Sequence, residues 1–175
     1  MNTSSNVYLI GPMGVGKTTI GKALAKNLAL EFVDSDQEIE NRTGVSIMTI
    51  FDIEGDIGFR NREVKVISEM VKRRGIVLAT GGGAVLRPEN RRVLRNSGLV
   101  VYLHATVEMQ LERTRNSRNR PLLNKGSRRS VIEDLMHERE PLYRQEADIV
   151  YVTDSRSPQA AAREIAGAIR EKWQS

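Results

Sequence analysis

Short apolar runs alternate along this chain with longer stretches whose apolar residues recur every three or four positions. The runs are typical of buried strands, and the stretches between them are typical of amphipathic helices. The strand-like runs lie at residues 7–10, 32–33, 76–79, 99–103 and 149–152. This alternation predicts an α/β fold, a three-layer sandwich in which helices cover a central, mostly five-stranded parallel sheet.

Polar residues and prolines between the runs indicate where helices begin and end. The Ser-Asp-Gln-Glu sequence at 35–38 has the spacing of a capping box. Pro141 is expected to interrupt a helix, because proline lacks a backbone donor and clashes with the preceding turn. Trp173 is expected on the buried face of the last helix. Helices are predicted over 19–28, 57–73, 88–96, 107–115 and 130–140, and from residue 158 onward.

Two segments do not fit a simple alternation of strands and helices. Residues 36–62 contain two helical patterns after the second strand, whereas residues 114–127 are polar, basic and rich in Asn and Ser. We predict that the first segment binds the acceptor substrate and that the second is a lid, since a lid that excludes water favours transfer over hydrolysis. No linker divides the chain, so residues 1–175 are expected to form one domain.

Composition limits the classes of protein that remain. The chain has 175 residues, of which 39% are hydrophobic and 28% charged, as in ordinary globular proteins. No apolar run approaches the ~20 residues of a membrane span, and residues 1–6 do not resemble a signal peptide. The absence of cysteine excludes disulfides and thiolate metal sites, and we expect a cytoplasmic protein.

The net charge of +5 comes from one segment. Seven arginines and lysines, and no acidic residue, lie from Arg113 to Arg129, so the rest of the chain is slightly acidic. A local basic loop suits a phosphate-covering lid, with a solvated run of charges as the alternative. This confinement of charge and the small number of aromatic residues argue against a nucleic-acid partner.

A glycine-rich motif joins the first strand to the first helix. The sequence Gly-Pro-Met-Gly-Val-Gly-Lys-Thr at 11–18 fits the P-loop pattern. Backbone N–H groups at a helix N-terminus attract phosphate, Lys17 would reach the β- and γ-phosphates, and the Thr18 hydroxyl would ligate Mg²⁺. The alternative is a glycine-rich turn that binds nothing. Nucleotide contacts are predicted at Gly14, Val15, Gly16, Lys17, Thr18 and Thr19.

Two carboxylates follow the second strand, at the edge where doubly wound sheets bind ligands. Phosphoryl transfer needs one carboxylate near Mg²⁺ and another that orients or deprotonates the attacking hydroxyl. Asp34 and Asp36 could divide these roles. Alternatively, Ser35 or Asp36 simply caps the next helix.

Glycines and arginines complete the candidate acceptor site. Gly81, Gly82 and Gly83 follow the third strand, where a substrate could touch the main chain; a flexible turn is the alternative. Arg60 and Arg139 could each grip a carboxylate with paired hydrogen bonds, although a lone arginine is more typical of a helix surface.

One arginine of the basic segment is a candidate catalytic group. Arg120 could lie over the transferring phosphoryl group as an arginine finger supplied in cis, and Arg115 and Arg118 compete for that role. His104 and His137 are isolated in sequence, so we interpret both as structural.

Together these residues resemble those of the shikimate kinase family over nearly the whole chain. The matching segments are GPMGVGKTTIG at 11–21, FVDSDQEIE at 32–40, FDIEGDIGFRNRE at 51–63, LATGGGAV at 78–85, RPLL at 120–123 and REPLYR at 139–144. The resemblance implies a P-loop kinase fold and ATP-dependent phosphorylation of the shikimate 3-hydroxyl, a step of aromatic amino acid biosynthesis. It also suggests a monomer.

The resemblance further implies roles for individual residues. Lys17, Asp36 and Arg120 would be catalytic, with Asp36 positioning the acceptor hydroxyl and able to act as its base. Thr18 and Asp34 would hold Mg²⁺. Further ATP contacts would come from Arg113, Arg120 and Arg156. The shikimate pocket would comprise Asp36, Phe51, Phe59, Arg60, Gly81, Gly82, Gly83 and Arg139.

Three other functions remain as alternatives at this point. A kinase for gluconate or a nucleoside monophosphate would keep the P-loop but need another acceptor pocket, whereas Arg60 and Arg139 suit a carboxylate substrate. A GTPase-like switch would explain the Asp-Ile-Glu-Gly sequence at 52–55, but the chain has no Asn-Lys-x-Asp guanine motif. A basic nucleic-acid-binding protein is the third alternative.

Overall fold

The architecture is an open parallel sheet between two layers of helices. The computed structural model describes residues 6–116 and 127–175. Its strands are β1 (Asn6–Ile10), β2 (Glu31–Asp34), β3 (Ile76–Ala79), β4 (Gly98–His104) and β5 (Ile149–Val152). Within the described ranges these five strands form one parallel sheet in the order β2-β3-β1-β4-β5. The predicted fold class is confirmed, and no strand differs from its predicted bounds by more than one residue at either end.

Helices connect successive strands and cover both faces of the sheet. They are α1 (Lys17–Leu28), α2 (Ser35–Thr43), α3 (Ile47–Met70), α4 (Pro88–Ser97), α5 (Val107–Thr114), α6 (Arg128–Glu146) and α7 (Pro158–Gln174). A 3₁₀ turn, Ala84–Leu86, follows the glycines after β3. Among the residues described, no helix combines the length and the apolar character that crossing a membrane requires.

The central strand separates two hydrophobic cores. Val7 and Leu9 of β1 pack into the core that includes α1 and α7, whereas Tyr8 and Ile10 pack into the core that includes α3, α4 and α6. All four side chains are buried, because a strand in the middle of a parallel sheet has helices over both of its faces. This central position explains why residues 7–10 of β1 form a continuous apolar run and do not alternate between apolar and polar residues.

Strand register brings three loops to one edge of the sheet. Leu9 of β1 pairs with Ala79 of β3, and Ala79 pairs in turn with Asp34 of β2. The P-loop, the glycine turn and the acidic pair therefore leave neighbouring strands at the same level. This is the edge at which parallel α/β sheets bind their ligands.

Helix α3 is broken at Gly55. The backbone there has φ 72° and ψ −175°, a combination that is essentially restricted to glycine. The break divides α3 into a first half that carries Phe51 and a second half that carries Phe59 and Arg60. The helical pattern predicted from residue 57 is therefore the second half of a longer element.

Two sequence-based predictions about helices were wrong. Pro141 does not end α6, which continues to Glu146. Tyr143 and Glu146, beyond the proline, are buried, so packing of this last part of the helix outweighs the local preference. Trp173 is 37% exposed and does not lie on a buried face.

Candidate active site

A cleft of about 560 Å³ opens at the carboxyl edge of the sheet. It is bounded by the P-loop, the acidic pair after β2, the glycine turn after β3 and the loop after β5. The predicted site residues that line it are Gly14, Val15, Gly16, Lys17, Thr18, Thr19, Asp34, Asp36, Gly81, Gly82, Arg113 and Arg156. The structure thus gathers most of the predicted nucleotide-binding and carboxylate groups around one space.

The P-loop presents an open helix N-terminus and an ammonium group. Helix α1 begins at Lys17, and its N-cap residue, Gly16, supplies no side-chain hydrogen bond to the first turn. The first backbone N–H groups of α1 are therefore available to an anion. Lys17 Nζ donates to the carbonyl oxygens of Gly11 at 2.6 Å and Pro12 at 2.7 Å, which holds the ammonium beside the loop.

Arg113 connects two walls of the cleft. Its guanidinium donates to the carbonyl oxygen of Val15 at 2.9 Å and to that of Asp154 at 3.0 Å. Helix α5 is thereby tied both to the P-loop and to the loop after β5. In that second loop Arg156 Nε donates to Asp154 Oδ2 at 2.8 Å, and its guanidinium also pairs with Glu164.

Asp34 performs two tasks with its two carboxylate oxygens. Oδ1 accepts from the backbone N–H groups of Asp36 at 3.0 Å and Gln37 at 3.2 Å, so Asp34 is the N-cap of α2. The alternative in which Ser35 or Asp36 caps this helix was wrong, because the N-cap residue is Asp34. Oδ2 accepts from the Thr18 hydroxyl at 2.9 Å and stands at the cleft beside the P-loop.

Asp36 has an environment that favours its protonated form. The side chain lines the cleft, yet its Oδ1 is buried without a hydrogen-bond partner among the described residues. Burial, and then the charges of Glu63 and Asp34, raise the pKa of Asp36 to about 7, against the opposing effects of Lys17 and Arg60. A carboxyl group that titrates near neutral pH is suited to accept a proton from a substrate hydroxyl.

Arg60 is buried in an ion pair that sequence reasoning missed. Only 4% of Arg60 is exposed, and Nη1 donates to Glu63 Oε1 at 2.8 Å. Asp56 Oδ1 lies 3.6 Å from Nε on the outer side. Burial raises the pKa of Glu63, while the Arg60 charge opposes that rise. The Arg-x-x-Glu spacing on one helix face could have indicated this pair, but not its burial.

Arg139 is the second buried guanidinium of the site. It projects from α6, is 5% exposed, and its Nε has no hydrogen-bond partner among the described residues. A Cβ placed on Gly82 would lie 3.5 Å from Arg139 Nη1, so the arginine lies against the glycine turn. Neither Arg60 nor Arg139 lies on a helix surface, which was the alternative for both.

The glycine turn leaves no room for a side chain at its first and third positions. A Cβ on Gly81 would lie 2.8 Å from Glu63 Oε2 and 2.9 Å from Asp36 Oδ1, and one on Gly83 would overlap the Arg60 guanidinium. Main-chain atoms of this turn therefore pack directly against the charged groups. A turn that served only as a flexible connection would not need glycine for such close packing.

Two aromatic rings flank the arginine cluster. The ring centroids of Phe51 and Phe59 are 4.7 Å apart, and the Arg60 guanidinium lies 5.2 Å from the Phe59 centroid. Phe59 is buried, whereas Phe51 is only partly buried. Both rings pack in the hydrophobic core under α3 and do not line the cleft, and Phe59 lies beside a cationic group.

The predicted lid falls mostly outside the described residues. Arg118 and Arg120 both lie there, so the structure does not test the arginine finger. Arg115, its competitor, is exposed, and its carbonyl oxygen accepts from Arg128 Nη1 at 2.6 Å.

Comparisons with known proteins agree on one family. The family model described as shikimate kinase matches residues 13–170. A shikimate kinase from Hahella chejuensis is 52% identical and covers 97% of this chain and 88% of its own length. The solved shikimate kinase from Acinetobacter baumannii, in complex with shikimate, has a TM-score of 0.94 at 46% identity, covering 96% of this chain and 94% of its own.

A more distant structure shares the fold alone. A gluconokinase from Sinorhizobium meliloti has a TM-score of 0.55 at 14% identity, covering 96% of this chain and 97% of its own. The alternative of a gluconate kinase is therefore supported by similarity of fold only. The shikimate kinases, in contrast, are similar in sequence along nearly the whole chain. The chain belongs to the shikimate kinase family.

Proposed function

We propose that the chain transfers the γ-phosphate of ATP to the 3-hydroxyl of shikimate through the residue roles set out here. Membership of the family makes it an ATP-dependent kinase that phosphorylates a shikimate hydroxyl. The observation that carries the residue roles is the placement of Asp36 in one cleft with the P-loop, with two buried arginines around the adjoining glycine turn.

On the nucleotide side, we assign the phosphates to the P-loop. Backbone N–H groups from Gly14 to Thr19 and the Lys17 ammonium bind the β- and γ-phosphates. The adenine lies between Arg113 and the loop that carries Arg156, a placement supported by the lining of the cleft. Arg113 fixes this position because it binds carbonyl oxygens of both walls.

Thr18 and Asp34 would hold Mg²⁺. Their oxygens lie 2.9 Å apart at the cleft, and hydroxyl and carboxylate oxygens are the ligands that Mg²⁺ accepts, with water and phosphate completing the set. Within residues 6–116 and 127–175 no group of three or more His, Cys, Asp or Glu side chains could hold a metal, which suits an ion bound largely through the nucleotide. When bound, Mg²⁺ neutralises charge on the phosphates.

On the acceptor side, charge and shape suit a ring that carries one carboxylate. Arg60 and Arg139 supply two buried positive charges. Glu63 and the exposed Asp56 lie beside Arg60 and offset part of this charge. Both guanidinium groups can bind a substrate carboxylate. Phe51 and Phe59 form a wall of the pocket, and the main chain of Gly81–Gly83 supplies contacts to ring hydroxyls.

In the reaction itself, Asp36 accepts the proton of the 3-hydroxyl as the oxygen attacks the γ-phosphorus. Its pKa of about 7 leaves a useful fraction deprotonated at neutral pH. Lys17 stabilises the charge on the transferring group. We assign Arg120 the role of a second cation at this group, supplied by the predicted lid at 114–127. The product is 3-phosphoshikimate, with ADP as the leaving group.

The remaining expectations are proposals of the same kind. We propose that residues 36–62 are the acceptor-binding segment of a single-domain, monomeric enzyme that acts in the cytoplasm, in aromatic amino acid biosynthesis. The absence of cysteine supports that location.

A substrate comparison tests this function. ADP release should be measured with ATP, Mg²⁺ and shikimate, gluconate or AMP as acceptor, and the product from shikimate should be identified by ³¹P NMR. Of the three acceptors, we expect only shikimate to give ADP release above the rate of ATP hydrolysis by water. The shikimate product should carry a phosphate ester at its 3-position. Lys17→Ala should abolish transfer while circular dichroism stays unchanged. Equal rates with all three acceptors would contradict the assignment.

A further inference from the structure

Two buried tyrosines stack beside the glycine turn, and they differ in what their hydroxyls do. Tyr102 of β4 and Tyr143 of α6 are both fully buried, with ring centroids 5.0 Å apart and planes inclined by 23°. Tyr143 Oη donates to the carbonyl oxygen of Gly82 at 2.5 Å. Tyr102 Oη is buried without a hydrogen-bond partner among the described residues.

The hydroxyl of Tyr143 acts on the main chain of the acceptor site. The Gly82 carbonyl and the Gly83 N–H belong to one planar peptide and point in opposite directions. Gly82 lines the cleft, and among the described residues its N–H donates to no protein acceptor, so it remains available to a ligand; Gly83 is buried. Glycine has no side chain to prevent this peptide from turning over, and the Tyr143 bond fixes it.

Tyr143 is also adjacent to the carboxylate clamp. It lies four residues after Arg139, one turn further along α6 and on the same face. Both residues meet Gly82, Tyr143 through its hydroxyl and Arg139 through Nη1. Burial raises the pKa of Tyr143 to about 12, with Arg139 acting in the opposite direction, so the hydroxyl remains a donor at any working pH.

We infer that Tyr143 is a positioning residue for the acceptor: by binding the Gly82 carbonyl, its hydroxyl fixes the turn that presents the Gly82 N–H to the substrate, next to Arg139. The inference rests on the proposed function of this site. It assigns no chemical step to Tyr143, which acts through the main chain and through its neighbour on α6.

The test compares two single-hydroxyl deletions within the stacked pair. Tyr143→Phe removes the bonded hydroxyl, and Tyr102→Phe removes the one that has no partner; both keep the two rings. In the full chain we expect Tyr143→Phe to raise the KM for shikimate about five- to tenfold, the effect of losing one buried hydrogen bond. The KM of Tyr143→Phe for ATP should stay within about twofold of the value of the unsubstituted chain. For Tyr102→Phe, the KM for shikimate and the KM for ATP should both stay within the same twofold range.

Three results would overturn the inference: an unchanged shikimate KM in Tyr143→Phe, a parallel rise of both KM values, or the same change in Tyr102→Phe. Should Tyr143→Phe fail to fold, 4-aminophenylalanine and 4-fluorophenylalanine at position 143 replace it. The first keeps an N–H donor and should preserve the shikimate KM, and the second should not. Failure of the unsubstituted chain to phosphorylate shikimate would instead refute the proposed function.

Discussion

At the scale of single residues, the site depends on carboxylates whose surroundings differ sharply. Asp34 is held by backbone N–H groups and the Thr18 hydroxyl, whereas Asp36 is buried near other acids and has a pKa of about 7. Glu63 is tied to Arg60. These surroundings differ in the way that the proposed roles of metal ligand, base and counter-charge require of chemically similar groups.

The pH profile should report on Asp36. Because the base must be deprotonated, we expect kcat/KM for shikimate to fall tenfold per pH unit as the pH drops below about 7, the pKa of Asp36. Asp36→Asn should remove transfer at every pH. The profile is measured by ADP release between pH 5 and 9; a flat acidic limb down to pH 5 would refute Asp36 as the base.

The same shift predicts a pH dependence of stability. The pKa of Asp36 is about 7 in the native state and ordinarily 3.8, so between these values the native state holds a proton that the unfolded chain has released. This contribution to stability is present at pH 4 and is lost as the pH rises through 7. Asp36→Asn should therefore increase the free energy of unfolding by about 1–3 kcal/mol at pH 8, with little change at pH 4, in urea titrations.

The Arg60–Glu63 pair should be far more important than a similar pair on the surface. Glu63→Gln removes the buried partner of Arg60 and leaves, among the described residues, only the exposed Asp56 beside it, a loss that should cost about 3–5 kcal/mol. The control is Glu54→Gln on the same helix, which breaks the exposed two-point pair with Arg62; solvent screens that pair, so its loss should hardly move the unfolding midpoint. Equal losses in thermal unfolding would show that the burial of Glu63 is unimportant.

At the scale of elements, Gly55 breaks helix α3 within the proposed acceptor-binding segment. Gly55→Ala should destabilise the protein by about 1–3 kcal/mol, because alanine strongly disfavours this backbone conformation, although a Cβ would meet nothing within 4 Å. Gly167 of α7 is the matched control, since its Cβ also points into open space but its helix is regular.

The control should change in the opposite direction. Gly167→Ala should stabilise by about 0.5–1 kcal/mol, as alanine does in a helix interior. Denaturant unfolding of both variants measures the difference. If Gly55→Ala were as stable as Gly167→Ala, the break in α3 would not be a fixed feature of the native state.

Elements differ in how far the sequence predicts them. The strands were predictable because a buried parallel strand is a short, continuous apolar run. The end of α6 was not, because Pro141 indicates a stop locally, whereas the burial of Tyr143 and Glu146 against other elements extends the helix. The P-loop was predictable from glycine spacing. The burial of Arg60 beside Glu63 was not, because it depends on contacts with a turn some twenty residues away in sequence.

At the scale of the whole molecule, the proposed nucleotide and acceptor sites lie side by side at one edge of the sheet. Adjacent strands carry the P-loop and the glycine turn, so we expect each site to form without the other ligand. Shikimate alone should raise the unfolding temperature: at about 100 times its Kd the gain is ~2.7 kcal/mol, or roughly 5–10 °C for a chain of this size.

Arg139→Ala distinguishes the acceptor site from the nucleotide site in this experiment. Differential scanning fluorimetry of the variant should show the shikimate-dependent shift lost and the ATP-dependent shift retained, each relative to the variant without ligand. A selective loss of the ATP shift would instead place Arg139 on the nucleotide side.

The crowded glycine turn has a consequence for inhibitor resistance. A compound seated against Gly81–Gly83 would meet main-chain atoms, and resistance usually arises by exchanging the side chains that a compound touches. Here any side chain at position 83 would displace the Arg60 guanidinium, and one at position 81 would strike Glu63 and Asp36. A mutation at position 81 or 83 that excluded the compound would therefore also disturb the charged residues to which we assign the binding of the substrate.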